Sequence, residues 1–140
     1  MGKILCATRG GEESEDTQAK AIALAREQGD ELVFLYVADV SFLDRIAAPL
    51  VVDVDAELHR MGRFQLTVAC ERAAAQGIQA RAVLRHGHLQ TELITVAREL
   101  GATLVVLGRP REGASVFDDE ALHLFAARLR AETGAEVRVL

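Results

Sequence analysis

Only two of the 140 residues are cysteine, Cys6 and Cys70. Two lone thiols make neither a disulfide framework nor a zinc site with its full set of ligands. Both stand in apolar stretches, which predicts reduced, buried thiols. Basic residues are outnumbered, 16 against 21 acidic ones, for a formal net charge of −5. That shortage of positive charge argues against nucleic acid as the main partner. No apolar run approaches the ~18 residues a membrane span requires. Met1-Gly2-Lys3-Ile4-Leu5 leads straight into a strand pattern, so no leader segment is expected. Internal repeats and low-complexity linkers are also missing, and a single domain over residues 1–140 is expected. What the chain does have is apolar residues, 50% of the total, which excludes a disordered chain.

Those apolar residues alternate between two periods. Ile4 to Thr8 reads as a short buried strand, broken by Gly10-Gly11. Ser14 is a candidate N-cap for a helix running to Gln28. Leu32 to Val37 is a continuous apolar run. A second helix is predicted from Asp53 or Asp55, with Leu58, Met61, Val68 and Ala69 at helical spacing, closing at Gln76-Gly77. From Ile78 to Arg85 the residues alternate as a strand, with Ile78, Ala80, Ala82 and Leu84 on one face and Gln79, Arg81, Val83 and Arg85 on the other. A third helix carries Leu93, Ile94, Ala97 and Leu100, and Gly101 ends it. Leu104 to Leu107 is a fourth strand. A helix with Leu122, Phe125, Ala126 and Leu129 follows, then Gly134 and a last strand, Val137 to Leu140.

The order βαβαβαβαβ implies a parallel sheet with helices on both faces. Strands buried on both sides read as continuous apolar runs. Strands one, two and four do so, while three and five alternate as edge strands can. The order 3-2-1-4-5 satisfies that division, and the order 2-1-3-4-5 does not. Ligands in such sheets bind at the carboxyl ends of the strands, beside the point where strand order reverses. That point lies between strands one and four, which singles out the loops Thr8 to Ser14 and Gly108 to Asp118.

The first loop holds Thr8, Arg9, Gly10 and Gly11; the second holds Gly108, Arg109, Arg111 and Gly113. Neither contains G-x-G-x-x-G or a phosphate loop ending in lysine and serine or threonine. Arg9, Arg109 and Arg111 could converge on a small anion, because guanidinium groups bind phosphate or carboxylate by paired hydrogen bonds. The flanking helix starts are acidic, with Glu12, Glu13, Glu15 and Asp16 on one side and Asp118, Asp119 and Glu120 on the other. Such carboxylates complement the helix dipole and would oppose a phosphate placed there. The rival reading is arginine–carboxylate pairing within the loops.

Arg85-His86-Gly87-His88 joins the third strand to its helix. Two histidines with no Cys or His nearby in sequence fall short of a metal-ligand set, and no metal is expected. His59 and His123 are expected on helix surfaces or helix–helix edges. Ser14, Ser41 and Ser115 lack a nucleophile elbow, and nothing compels an enzyme assignment.

Taken together, the element order and several segments resemble the universal stress protein family. Gly2 to Ala7 followed by Gly10 is similar to its opening strand and turn. His86-Gly87-His88 with Glu92-Leu93-Ile94 is similar to its third junction. Ala102 to Arg109 is the most family-like stretch, and Val137 to Leu140 resembles the last strand. The resemblance implies a Rossmann-like sheet of order 3-2-1-4-5, of the adenine-nucleotide alpha-hydrolase-like kind, in a cytoplasmic homodimer joined by the last strands. It also implies two classes of member, one of which binds ATP. The ATP-binding class has an aspartate where this chain has Arg9. It has a second glycine three residues after the one matched by Gly108, where this chain has Arg111. It has Gly-Ser or Gly-Thr where this chain reads Ala121-Leu122-His123-Leu124. Val37 and Gly108 match positions that line the family's adenine and ribose pocket.

The expectation is a regulatory stress-response module without tight ATP binding. A nucleotide sensor (for ATP, AMP or another small anion) is the second reading, and a weak nucleotide hydrolase the third. Dimerisation through Val137, Arg138, Val139 and Leu140 is expected, because an open strand edge invites pairing. The connection Asp39 to Val52, with Phe42, Leu43, Ile46, Leu50, Val51 and Val52, is expected to fold over the core, with a lid or a partner surface as the alternatives.

Overall fold

A computed structural model describes residues 2–8, 12–39, 49–108 and 119–140. The strands are β1 (Lys3–Ala7), β2 (Glu31–Ala38), β3 (Arg81–His86), β4 (Leu104–Leu107) and β5 (Glu136–Val139). The helices are α1 (Glu12–Gln28), α2 (Pro49–Ala75), α3 (Leu89–Leu100) and α4 (Asp119–Thr133). All four strand pairings are parallel, in the order β3-β2-β1-β4-β5 that the apolar patterns predict. The continuous apolar strands are the buried ones: every residue of β4 is buried, as are Ile4, Leu5 and Cys6 of β1. β3, at one edge, has no fully buried residue.

Alternation along the strands divides the core into two layers. One face carries Leu5, Val33, Leu35, Val105 and Val137 against Leu93, Val96 and Ala97 of α3 and Phe125 and Leu129 of α4. The other carries Ile4, Phe34, Tyr36 and Val106 against Ala21, Ile22 and Ala25 of α1 and Leu66, Ala69 and Ala73 of α2.

Several boundaries differ from those expected. Helix α1 begins at Glu12, so Ser14 lies inside its first turn and not at the N-cap. Helix α2 begins at Pro49, ahead of Asp53 and Asp55, which places Leu50, Val51 and Val52 in the helix. Proline suits a first helical turn, where its missing N–H has no partner to lose. The connection thus shrinks to residues 39–48, and Phe42, Leu43 and Ile46 lie outside the described residues. Strand β3 starts at Arg81, not Ile78. The Ile78 N–H is already used: it donates to the Ala73 carbonyl, and the Gly77 N–H donates to that of Ala74. These two bonds close α2, with Gly77 at a φ of 81°.

Met61, at helical spacing with Leu58, Val68 and Ala69, is nonetheless 49% exposed. Its neighbour Gly62 faces the sheet instead. A Cβ there would come within 2.5 Å of Tyr36 Cδ1 and 2.8 Å of Leu84 Cδ1. Only glycine lets α2 settle this close to β2 and β3.

Candidate functional site

Thr8 continues β1 beyond its last strand residue, its N–H donating to the Leu35 carbonyl at 2.8 Å. Gly108 follows β4, the neighbour of β1. The reversal of strand order thus brings Thr8 and Gly108 side by side at the carboxyl edge, beside the first turns of α1. Val37, near the end of β2, is half-buried on the layer shared with α3 and α4. Arg9, Gly10, Arg109, Arg111 and Gly113 lie outside the described residues.

The polar groups at this crossing bond to one another. Gln18 is 1% exposed, and its amide nitrogen donates to Thr8 Oγ1 at 2.6 Å. Its amide oxygen accepts from Arg72 Nη1 at 2.8 Å. Arg72 Nη2 donates to Glu15 Oε1 at 2.6 Å, so one chain of bonds ties β1 to α1 and α1 to α2. Thr17, also buried, sits against Gly108, where a Cβ would lie 2.8 Å from Thr17 Oγ1. Glycine at 108 is therefore required by the approach of α1. Thr8 likewise has a structural partner in Gln18. Among the described residues no buried side-chain nitrogen or oxygen lacks a hydrogen bond, as a folded interior requires.

Gln18 and Arg72 escaped the sequence reading. A signal existed: Gln18 falls on the stripe of Ala21, Ile22 and Ala25, a polar residue at a helical core position. Asp39 was also missed as a contact. Its Oδ2 accepts from the Leu89 N–H at 2.9 Å, so the end of β2 caps α3 from outside, while the His88 side chain makes no capping bond.

The histidines regroup. His86 and His88 do not act as a pair: His88 is the N-cap residue of α3, whereas His86 Nε2 lies 3.0 Å from His59 Nδ1 on α2. The rings are nearly parallel, 10° apart, with centroids 5.1 Å apart. Such a short nitrogen contact with so wide a centroid spacing means they meet edge to edge, not face to face. The pair closes one end of a groove of about 740 Å³ between α2 and β3, whose walls include Arg63, Leu66, Cys70 and Leu84. Cys70 is half-buried, less enclosed than expected, and burial raises its thiol pKa above the ordinary value. Cys6 is fully buried in β1, and its thiol is pushed up to about 12. His123 is exposed on α4, as expected.

Of the residues expected at a second interface, Val137 is buried in the core and Arg138 pairs with Glu136 at 3.0 Å. Val139 and Leu140 are half-buried on opposite layers of the sheet, and β5 is an edge strand.

The model of the universal stress protein family matches residues 1–117. The chain belongs to the universal stress protein family. Universal stress protein YxiE of Bacillus subtilis (strain 168) is 28% identical over 116 residues, which span 77% of this chain and 78% of that one. A family member from Burkholderia pseudomallei has a solved structure that superposes with a TM-score of 0.73 at 25% identity, over 99% of this chain and 95% of the other. UspA from Lactobacillus plantarum shares the fold at a TM-score of 0.79 and 16% identity, over 99% and 97% of the two chains. No helix among the described residues is long and apolar enough to cross a membrane.

Proposed function

We propose that this member of the universal stress protein family is a non-enzymatic regulatory module that does not bind ATP tightly. One observation carries the reading. Where the resemblance calls for Gly-Ser, Leu122 is 8% exposed and packed among the core residues of the α3–α4 layer. It already lies within α4, three residues after Asp119. A phosphate cradle needs small residues and backbone N–H groups turned toward the ligand. A leucine committed to the core inside a formed helix supplies neither. The structural duties of Gly108 and Thr8 point the same way. Calorimetry with magnesium and ATP on the full chain should show no binding in the micromolar range. A micromolar ATP complex overturns the proposal.

A second reading, a sensor of a mononucleotide or similar small anion, draws support from two proteins of this fold. A universal stress protein at 19% identity and a TM-score of 0.67 has been solved in complex with cAMP. One from Archaeoglobus fulgidus, at 14% identity and a TM-score of 0.61, has been solved in complex with dAMP. A ligand with a single phosphate asks less of the α4 start than a triphosphate does. The same calorimetry with AMP, dAMP and cAMP distinguishes the readings: binding abolished by Arg9→Ala selects the sensor.

A further inference from the structure

We propose that His59 and His86 form a two-histidine chelate for a divalent first-row transition-metal ion, at the rim between α2 and β3. The nitrogens are already 3.0 Å apart. Imidazole nitrogens bind such ions at about 2.0–2.1 Å, so two of them at this spacing reach one ion with an angle of roughly 90° between them. That is the cis angle of tetragonal nitrogen–oxygen coordination, the geometry of Cu²⁺ and Ni²⁺.

The backbone holds the two rings in reach of each other. Leu84 and His86 share one face of β3, and His59 and Gly62 share one face of α2. The close seating of Gly62 on Leu84 therefore carries His59 to His86 one step along both elements. On its other side β3 is pinned to β2, with His86 opposite Ala38. The ring ends remain accessible, since His86 is exposed and His59 half-buried.

One proton lies between the facing nitrogens in the metal-free pair, because one ring must donate and the other accept. Metal binding requires both lone pairs. The donating ring therefore releases that proton or carries it on its other nitrogen, and the rings turn to converge on the ion. Among the described residues no third His, Cys, Asp or Glu completes a cluster. The two histidines supply two cis positions of the ion's coordination sphere. Arg63 and Glu71, of opposite charge, line the same groove.

Ni²⁺ is the suitable probe, because Cys70 shares the groove and Cu²⁺ oxidises thiols. Titration of the full chain with NiCl₂ in a non-coordinating buffer should show one ion per chain, with Zn²⁺ binding more weakly. His59→Ala and His86→Ala should each weaken binding by roughly tenfold or more, as expected when a chelate loses one of two ligands. His59→Gln and His86→Gln, which keep a polar side chain, should do the same with an unchanged circular dichroism spectrum. His88→Ala and His123→Ala should bind as the parent does. Unaltered binding in the His59 and His86 variants, loss in the His88 or His123 variant, or no Ni²⁺ binding by the parent chain overturns the proposal.

Discussion

At the crossing of β1 and β4, Gln18 is sealed from solvent and its amide is used at both ends, by Thr8 and by Arg72. At the β3 rim, His59 and His86 meet edge to edge, the one half-buried and the other exposed. Both places are polar contacts between neighbouring elements at the carboxyl edge of one sheet. They differ in what breaking them costs. A buried donor or acceptor left alone loses its partner and gains no water in exchange, whereas an exposed one is rehydrated. The crossing is thus where polar residues hold the fold together. The rim is where they lie within reach of solvent. A site inferred from topology alone falls at the crossing, yet its described side chains are occupied by structure.

Gln18→Leu puts the largest strain on that contrast. It leaves the Thr8 hydroxyl buried without its donor and strips Arg72 of one acceptor. A loss of about 1–3 kcal/mol is expected in urea denaturation. His59→Ala, measured beside it without metal, should cost no more than about 0.5–1 kcal/mol, because the half-buried ring lies within reach of water. Equal losses at the two sites would dissolve the distinction.

Gly108→Ala tests a smaller element of the same crossing. Its new Cβ would meet Thr17 Oγ1 at 2.8 Å, and overpacking of this kind costs about 1–3 kcal/mol where the neighbour cannot yield. The threonine side chain is the obstacle, so the effect should be largely relieved in a Thr17→Ala background. A double-mutant cycle reads that coupling directly. An additive cycle would mean that Gly108 answers to something other than α1.

Strand order was legible because burial on two faces demands continuous apolar sequence, and β1, β2 and β4 have it while β3 does not. Helix starts were less so. Ser14 has the chemistry of an N-cap, but a run of acidic residues is equally compatible with a first turn, and α1 starts two residues earlier. Gly62 shows a related limit: hydrophobicity marks a sheet-facing position only where there is room for a side chain, and Tyr36 and Leu84 leave none. At the candidate site, Thr8 and Gly108 were singled out by the reversal of strand order and Val37 by the family resemblance, and the sheet does bring Thr8 and Gly108 together. The bond that occupies Thr8 comes from Gln18, which is itself held by Arg72, 54 residues further along the chain. The His59–His86 contact spans 27 residues and two elements, and no spacing rule within one element reports it.

The two cysteines sample the same two regions with the smallest effect. Cys6 lies in β1 beneath the crossing, and Cys70 lines the groove at the rim. In the folded protein at mildly alkaline pH, a thiol reagent should label Cys70 first and reach Cys6 only on unfolding, because the thiolate is the reactive form and Cys6 is both enclosed and held protonated. The same burial makes stability depend on pH. The Cys6 thiol rises from 9.0 to about 12 on folding, so the folded chain keeps a proton that the unfolded chain gives up. Below the unfolded value both states hold the proton and the thiol has no effect. From there up to the folded value it subtracts stability, at a limiting slope of about 1.4 kcal/mol per pH unit. Cys6→Ala should flatten the fall in stability measured between pH 9 and the folded value, relative to the parent, whatever its constant packing cost. A Cys70→Ala chain should show the smaller change, since its thiol is only half-buried. If the two variants flattened the curve equally, the interior beneath the crossing would be no drier than the groove at the rim, and the contrast between the two regions would fail at its simplest point.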